Sequence, residues 1–278
     1  MRRTYRSDDT DLSFHETGRG LPVVFLHPTP LSGEYWRPLI ETLPELRAIV
    51  PDLRGHGASE LGTRLPAGAF ARVPDAPVLS MGQLASDVFA LLDSLKLDRA
   101  VFAGCSIGGY VLLELWRRAP ERVRGLAFVC SKPQPDAEAN LAKRAATIAE
   151  ARAGKLSALF EGFAQNLVAE GTRVQHPELV KELRAQMTLT EEAEVAVQAG
   201  LATRPDSVPT VASITVPVLA IAGAEDTAVS AAEMEAFCAA PGGCTYEVLA
   251  NAGHFAAYEQ PREVAALMSP WLRQLSTV

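Results

Sequence analysis

The segment Gly104-Cys105-Ser106-Ile107-Gly108-Gly109 carries the strongest chemical signal in the chain. It matches Gly-x-Ser-x-Gly. It lies where an apolar run, Arg99 to Gly104, meets a helical pattern, Gly108 to Ala119. A serine at a sharp strand-to-helix turn projects its hydroxyl past the strand end, and flanking glycines leave no Cβ to crowd it. The helix N-terminus behind it offers unpaired N–H groups to a developing anion. The motif alone is common by chance. Its position between strand and helix makes it specific.

A serine hydroxyl is a poor nucleophile at neutral pH. It needs a base, and the base needs an orienting acid. The chain has five histidines. His254, in Ala250-Asn251-Ala252-Gly253-His254-Phe255, follows one strand pattern and precedes the last helix, so its loop returns to the sheet edge that holds Ser106. His15 falls in an N-terminal hairpin and His176 in a helical region. Asp226 follows the apolar run Pro217–Ala222, again at a strand's carboxyl end; Glu225 is its adjacent rival and Asp136 a weaker one. The plainer alternatives, a capping or solvent histidine at His254 and a solvated acidic loop at Asp226, carry less weight. All three at strand ends, in the order nucleophile, acid, base, are far more specific. A tetrahedral intermediate also needs two N–H donors. One is the N–H of Ile107; the other belongs to the loop after the strand ending at His27.

These residues require a sheet to hold them. Thr4–Arg6 and Leu12–His15 alternate about a turn at Asp8-Asp9 and predict a hairpin. Buried strands are expected at Pro22–His27, Arg47–Leu53 and Arg99–Gly104, and further strands at Val123–Cys130, Val216–Gly223 and Thr245–Leu249. Helices are expected at Gly33–Leu43, closed by Pro44, then from Ser80 with a Ser80/Gln83 capping box, and at Gly108–Ala119, Ser230–Ala239 and Pro261–Leu275. Gly62 to Pro77 reads as loop. Strands alternating with helices imply a mostly parallel sheet covered on both faces, the α/β class. From Lys132 to about Ala212 no strand signal appears. Helical stretches at Ala137–Ala153, Lys155–Glu170, Pro177–Met187 and Glu191–Ala202 read as an insertion on one edge of the sheet.

Composition narrows the partners. The chain has 278 residues and a net charge of −7, without the basic surplus of a phosphate-binding surface, so nucleic acid is not expected. The longest apolar runs, such as Val218 to Ala222, are too short to span a bilayer. No apolar stretch follows the basic residues at the start, so a secretory signal is not expected and a cytoplasmic location is. Cys105, Cys130, Cys238 and Cys244 form no CxxC pair and read as reduced thiols.

Together, His27-Pro28-Thr29-Pro30, Asp52 to Ser59, Gly104 to Gly109, Gly223 to Asp226 and Gly253-His254 resemble the α/β-hydrolase fold family over nearly the whole chain. The resemblance is nearest to its small bacterial esterase and 3-oxoadipate enol-lactonase-like group, which includes cofactor-free perhydrolases. It implies a core domain at 1–131 and 213–278 and a helical cap domain at 132–212. In that family the first motif reads His-Gly-x, and the residue after the glycine gives the second oxyanion N–H; carried over, that is Thr29. Here Pro28 replaces the glycine. Pro30 biases Thr29 toward extended backbone. The Thr29 hydroxyl is either a third donor or a loop cap. By the same resemblance Arg54–His56 is structural, and His27 braces the oxyanion loop. Phe160, Phe163, Leu167 and Met187 are candidate pocket linings, though helix packing explains them as well.

The leading expectation is hydrolysis of small-molecule carboxylic esters through an acyl-enzyme, with no metal or organic cofactor. Lactone hydrolysis, C–C bond hydrolysis and perhydrolysis use the same machinery. A serine in place of the aspartate nucleophile argues against epoxide hydrolase and haloalkane dehalogenase chemistry. From a different class, a hydrolase-fold small-ligand-binding protein would capture its ligand without turnover. A homo-oligomer stays open.

Overall fold

In the computed structural model, residues 2–43 and 46–276 are described. The chain opens with the expected hairpin: β1 (Arg2–Ser7) and β2 (Thr10–Gly18) pair antiparallel, with Ser7 opposite Thr10. Then follow β3 (Leu21–Leu26), β4 (Leu46–Pro51), β5 (Ala100–Cys105), β6 (Val123–Val129), β7 (Val218–Gly223) and β8 (Cys244–Leu249). They form one eight-stranded sheet in the order β1-β2-β4-β3-β5-β6-β7-β8. From β3 to β8 all neighbouring pairs are parallel. Every residue of β5 and of β7 is buried, as expected of parallel strands covered on both faces.

The chain reverses its direction of travel across the sheet between β3 and β5, which pair directly, Leu26 opposite Gly104. Such a switch point opens a crevice outside the carboxyl ends of the two strands. The loop carrying Thr29 leaves β3 there, and Ser106 leaves β5. Sequence-predicted Ser106 and Thr29 thus meet by topology alone.

Helices cover the sheet: α1 (Arg37–Ile40), α2 (Met81–Ser94), α3 (Ile107–Arg118), and, after the insertion, α10 (Ala231–Met234), α11 (Ala256–Glu259) and α12 (Pro261–Ser276). Several expectations need correction. The Gly33–Leu43 helix is a 3-10 turn, Gly33–Trp36, followed by one turn of α1; its expected stop, Pro44, lies outside the described residues. The Ser80/Gln83 box is half formed. Ser80 Oγ accepts the Gln83 N–H, but the Gln83 amide donates to Asp87 Oδ1 instead of returning to the cap. The complete box is at Ser230/Glu233, where α10 ends after one turn and continues as the 3-10 segment Glu235–Ala239.

Between β6 and β7 lie only helices: α4 (Glu138–Arg152), α5 (Leu156–Asn166), α6 (Glu170–Gln175), α7 (Pro177–Gln186), α8 (Glu191–Ala202) and α9 (Val208–Val211). The expected Lys155–Glu170 helix is broken, because Ala169 is extended at φ −62, ψ 154. The loop expected at Gly62–Pro77 is anchored. Phe70 is buried with Val78, Ile148, Val195 and Ala199, tying the loop to α4 and α8. Among the described residues no helix is long and apolar enough to cross a membrane.

Candidate active site

Ser106 sits between β5 and α3 with φ +52 and ψ −116. A non-glycine residue in that region stores strain, and the surroundings hold it. Its N–H donates to the Val129 carbonyl at 3.1 Å, and its carbonyl accepts the Ser131 hydroxyl at 2.9 Å. The two motif glycines are required by space. A Cβ on Gly104 would lie 2.5 Å from the Gly108 carbonyl carbon, and one on Gly108 would lie 2.2 Å from the Leu26 carbonyl oxygen.

His254 and Asp226 meet. His254 Nδ1 lies 2.8 Å from Asp226 Oδ2, with both side chains buried. A carboxylate oxygen only accepts, so Nδ1 carries the proton and Nε2 is left as a lone-pair acceptor. Asp226 is itself fixed: Oδ1 accepts the N–H groups of Ala228 and Val229 at 2.8 and 3.0 Å. The rivals are engaged elsewhere. Glu225 accepts the Glu170 N–H, and Asp136 lies between Arg144 and Arg204.

Ser106 and His254 line one cavity of about 450 Å³, together with Thr29 and Pro30. No hydrogen bond joins the Ser106 hydroxyl to His254 among the described residues. Such bonds often tighten only once a substrate is in place. Ile107 is the first residue of α3, so its N–H has no carbonyl to meet inside the helix.

The loop after β3, which carries Thr29, is braced by two neutral histidines. His27 Nδ1 donates to the Pro28 carbonyl at 2.9 Å, and Nε2 accepts the Leu53 N–H at 2.9 Å. His56 Nδ1 donates to the Arg54 carbonyl at 3.0 Å, which leaves Nε2 to accept the Thr29 hydroxyl at 2.9 Å. Burial pushes His27 down to about 4 and His56 down to about 3. The Thr29 hydroxyl is therefore committed as a hydrogen-bond donor to His56, which fits the loop cap of the two roles expected for it. Arg54 is buried against Asp87, to which its Nε and Nη2 donate at 2.9 and 2.7 Å, and against Asp9, to which Nη1 donates at 2.9 Å. It is structural, as expected. Cys105 is buried and accepts the Tyr35 hydroxyl at 3.3 Å; burial pushes its thiol up, so it fills the core beside the serine.

The opposite wall of the cavity comes from the inserted helices. Of the four candidate linings, Phe163 and Leu167 line it, while Phe160 and Met187 are buried and do not. Sequence reasoning missed the polar part of that wall. Arg144 on α4 donates to Asp136 Oδ2 at 3.1 Å and to Gln198 Oε1 at 2.9 Å. The Gln198 amide donates to Glu194 at 2.7 Å. Glu194 is fully buried, which pushes its carboxyl up to about 7. Tyr110 also lines the cavity; four residues after Ser106 on α3, it shares the serine's helical face and was findable by spacing. Glu259 was missed too. It accepts the Gly253 N–H at 3.0 Å on one oxygen, and the Ala169 N–H at 2.8 Å and the Thr172 hydroxyl at 2.7 Å on the other. It joins the His254 loop to the insertion, and the His254 N–H itself donates to the Leu167 carbonyl at 2.7 Å. Among the described residues no group of three or more His, Cys, Asp or Glu is placed to hold a metal ion.

Comparison with known proteins agrees with this architecture. The family model of the alpha/beta hydrolase fold matches residues 22–261. A solved structure of a thermophilic esterase from Thermogutta terrifontis, with malate bound, superposes with a TM-score of 0.89 at 30% identity, covering 99% of each chain. The 3-oxoadipate enol-lactonase 2 of Acinetobacter baylyi is 29% identical over 221 residues, 76% of this chain and 73% of that one. A non-heme chloroperoxidase of Streptomyces lividans is 35% identical over 132 residues, 46% of this chain and 43% of that one.

Proposed function

The chain belongs to the α/β-hydrolase fold family, and from that premise we propose that it is a serine hydrolase cleaving carboxylic esters of small molecules through an acyl-enzyme. One observation carries the reading: His254, its proton fixed by Asp226, opens on the same cavity as a serine held at φ +52. In this reading Ser106 Oγ attacks the carbonyl carbon as His254 Nε2 takes its proton. The N–H groups of Ile107 and Thr29 receive the oxyanion. His254 then protonates the leaving alkoxide, and a water activated by the same nitrogen releases the acid.

The insertion, residues 132–212, acts as a cap domain on a core formed by 1–131 and 213–278. It supplies the wall that excludes water and selects the substrate. The cavity is of small-molecule size. On its cap wall Lys143 and Arg144 stand beside Asp136 and Glu150; Arg144 pairs with Asp136, and Lys143 has no ion-pair partner among the described residues. The substrate we favour bears a carboxylate on the arm that reaches Lys143 and Arg144 on α4. The malate bound to the Thermogutta esterase, itself a dicarboxylate, supports that choice.

The test is p-nitrophenol release from short acyl esters at neutral pH, wild type against Ser106→Ala. Turnover in the wild type and none in the folded variant is the expected result; equal rates in both would overturn the assignment. On esters with and without a free carboxylate, Arg144→Ala is expected to raise KM roughly 10- to 100-fold for the charged ester alone, the worth of one charge-assisted hydrogen bond. A lactone-opening reading is favoured by the Acinetobacter relative. It predicts faster turnover of unsaturated lactones than of open-chain esters.

A further inference from the structure

We propose that Cys238 and Cys244 are a redox-active dithiol, a site of reversible disulfide formation remote from the cavity. Their Sγ atoms lie 3.8 Å apart, and Cys238 is exposed while Cys244 is partly buried. A disulfide needs about 2.05 Å between the sulfurs, a change within reach of side-chain rotation.

The backbones that carry the pair are held by the core. Phe237, beside Cys238, stacks on Phe128 of β6 with ring centroids 3.9 Å apart. Cys244 opens β8, opposite Val218 at the start of β7. The turn between them is pinned. The Gly242 N–H donates to the Ile214 carbonyl at 2.8 Å, and Gly242 packs so closely that a Cβ would lie 2.1 Å from the Val216 carbonyl oxygen. Gly243 takes φ +86 and donates back to Ala240 at 3.1 Å. Fixed backbones on both sides of a short turn, with facing sulfurs, favour ring closure over reaction with outside thiols.

The chain also isolates the pair. Cys105 and Cys130 are fully buried, so small oxidants reach only the exposed Cys238 and the partly buried Cys244 beside it. Cys244 begins its strand and Ser106 follows the end of another. The two sites are separated by about a strand's length, roughly 20 Å.

The oxidant is a small disulfide such as oxidised glutathione. The exposed Cys238 thiolate attacks one of its sulfurs, forming a mixed disulfide and releasing one glutathione thiolate. Cys244 gives up its proton and displaces the second glutathione thiolate, forming the Cys238–Cys244 bond. The pair loses two electrons, the small disulfide gains them, and the released thiolates take up the two protons.

The experiment equilibrates the folded full-length chain with reduced and oxidised glutathione, quenches by alkylation and reads the mass. The expected product is 2 Da lighter, with one peptide link between Cys238 and Cys244, reversed by dithiothreitol and accompanied by a Tm rise of several degrees. In Cys244→Ser the expected product is a lasting glutathione adduct on Cys238. A lasting adduct on wild-type Cys238, or a link between two chains, would overturn the proposal. Phenylarsine oxide, which bridges paired thiols, is expected to bind the wild type one to one and neither Cys238→Ser nor Cys244→Ser. Equal binding to all three proteins would overturn it as well.

Discussion

Asp226 has an acceptor role on each oxygen, and that division decides what its replacement would do. Oδ1 holds the turn through Ala228 and Val229, while Oδ2 sets the proton on His254 Nδ1. Asp226→Asn keeps the shape and the Oδ1 contacts, but offers an N–H where the histidine needs an acceptor. The imidazole is then driven to the tautomer with its proton on Nε2, useless as a base toward Ser106. The expected result is a fall in kcat on the order of 10⁴-fold with the protein still folded, read by steady-state ester hydrolysis beside circular dichroism. Ser106 and Asp226 were legible because each stands just past an apolar strand run, and His254 because its loop falls between the last strand pattern and the last helix. Arg144 and Gln198 were not legible. Their place in the cavity depends on how α4 packs on α8, and no local pattern encodes that packing.

The strand-to-helix junction depends on one close approach. Gly108 lets α3 start against the Leu26 carbonyl of β3, and backbone cannot yield there as a flexible side chain would. Gly108→Ala is expected to cost about 3 kcal/mol or more in urea unfolding and to lower kcat as well, because the start of the helix carries the Ile107 N–H. Positions of the inner strands followed directly from the sequence, since buried parallel strands are continuous apolar runs; the edge strand β8 is partly exposed and alternates. Helix ends followed less well. The break after α5 comes from a tertiary contact: Leu167 turns its carbonyl to His254, and Ala169 turns its N–H to Glu259, so a run with helical spacing stops being helix. The segments Val208–Val211 and Ala256–Glu259 are single turns, too short to show a period.

Across the molecule, buried titratable groups set opposite slopes of stability with pH. Glu194 rises from 4.5 to about 7 on folding, so its ionisation is disfavoured in the native state. Its contribution is fully present below the unfolded pKa and is lost as pH rises through 7. His27 and His56 are depressed from 6.5, so their contribution is present above that value and is lost as pH falls toward 4 and 3. Wild-type Tm should therefore peak on the acid side of neutrality. Glu194→Gln should remove the alkaline limb, raising Tm at pH 8 by about 5 °C relative to wild type while changing it little at pH 5, measured by calorimetry.

The hydrogen bond from His254 to the Leu167 carbonyl has a consequence for building hybrids of this fold. Gly253 presses so closely on residues 167–169 that no β-carbon fits between them. The inserted helices are thus not a detachable attachment selected only for what it admits. A chimera that takes its insertion from a relative would inherit that relative's seat for the histidine. Grafts that stop short of Leu167, or that carry across Ala169 and its Glu259 partner together, should keep the base aligned. Grafts that cut between them should fold and fall silent.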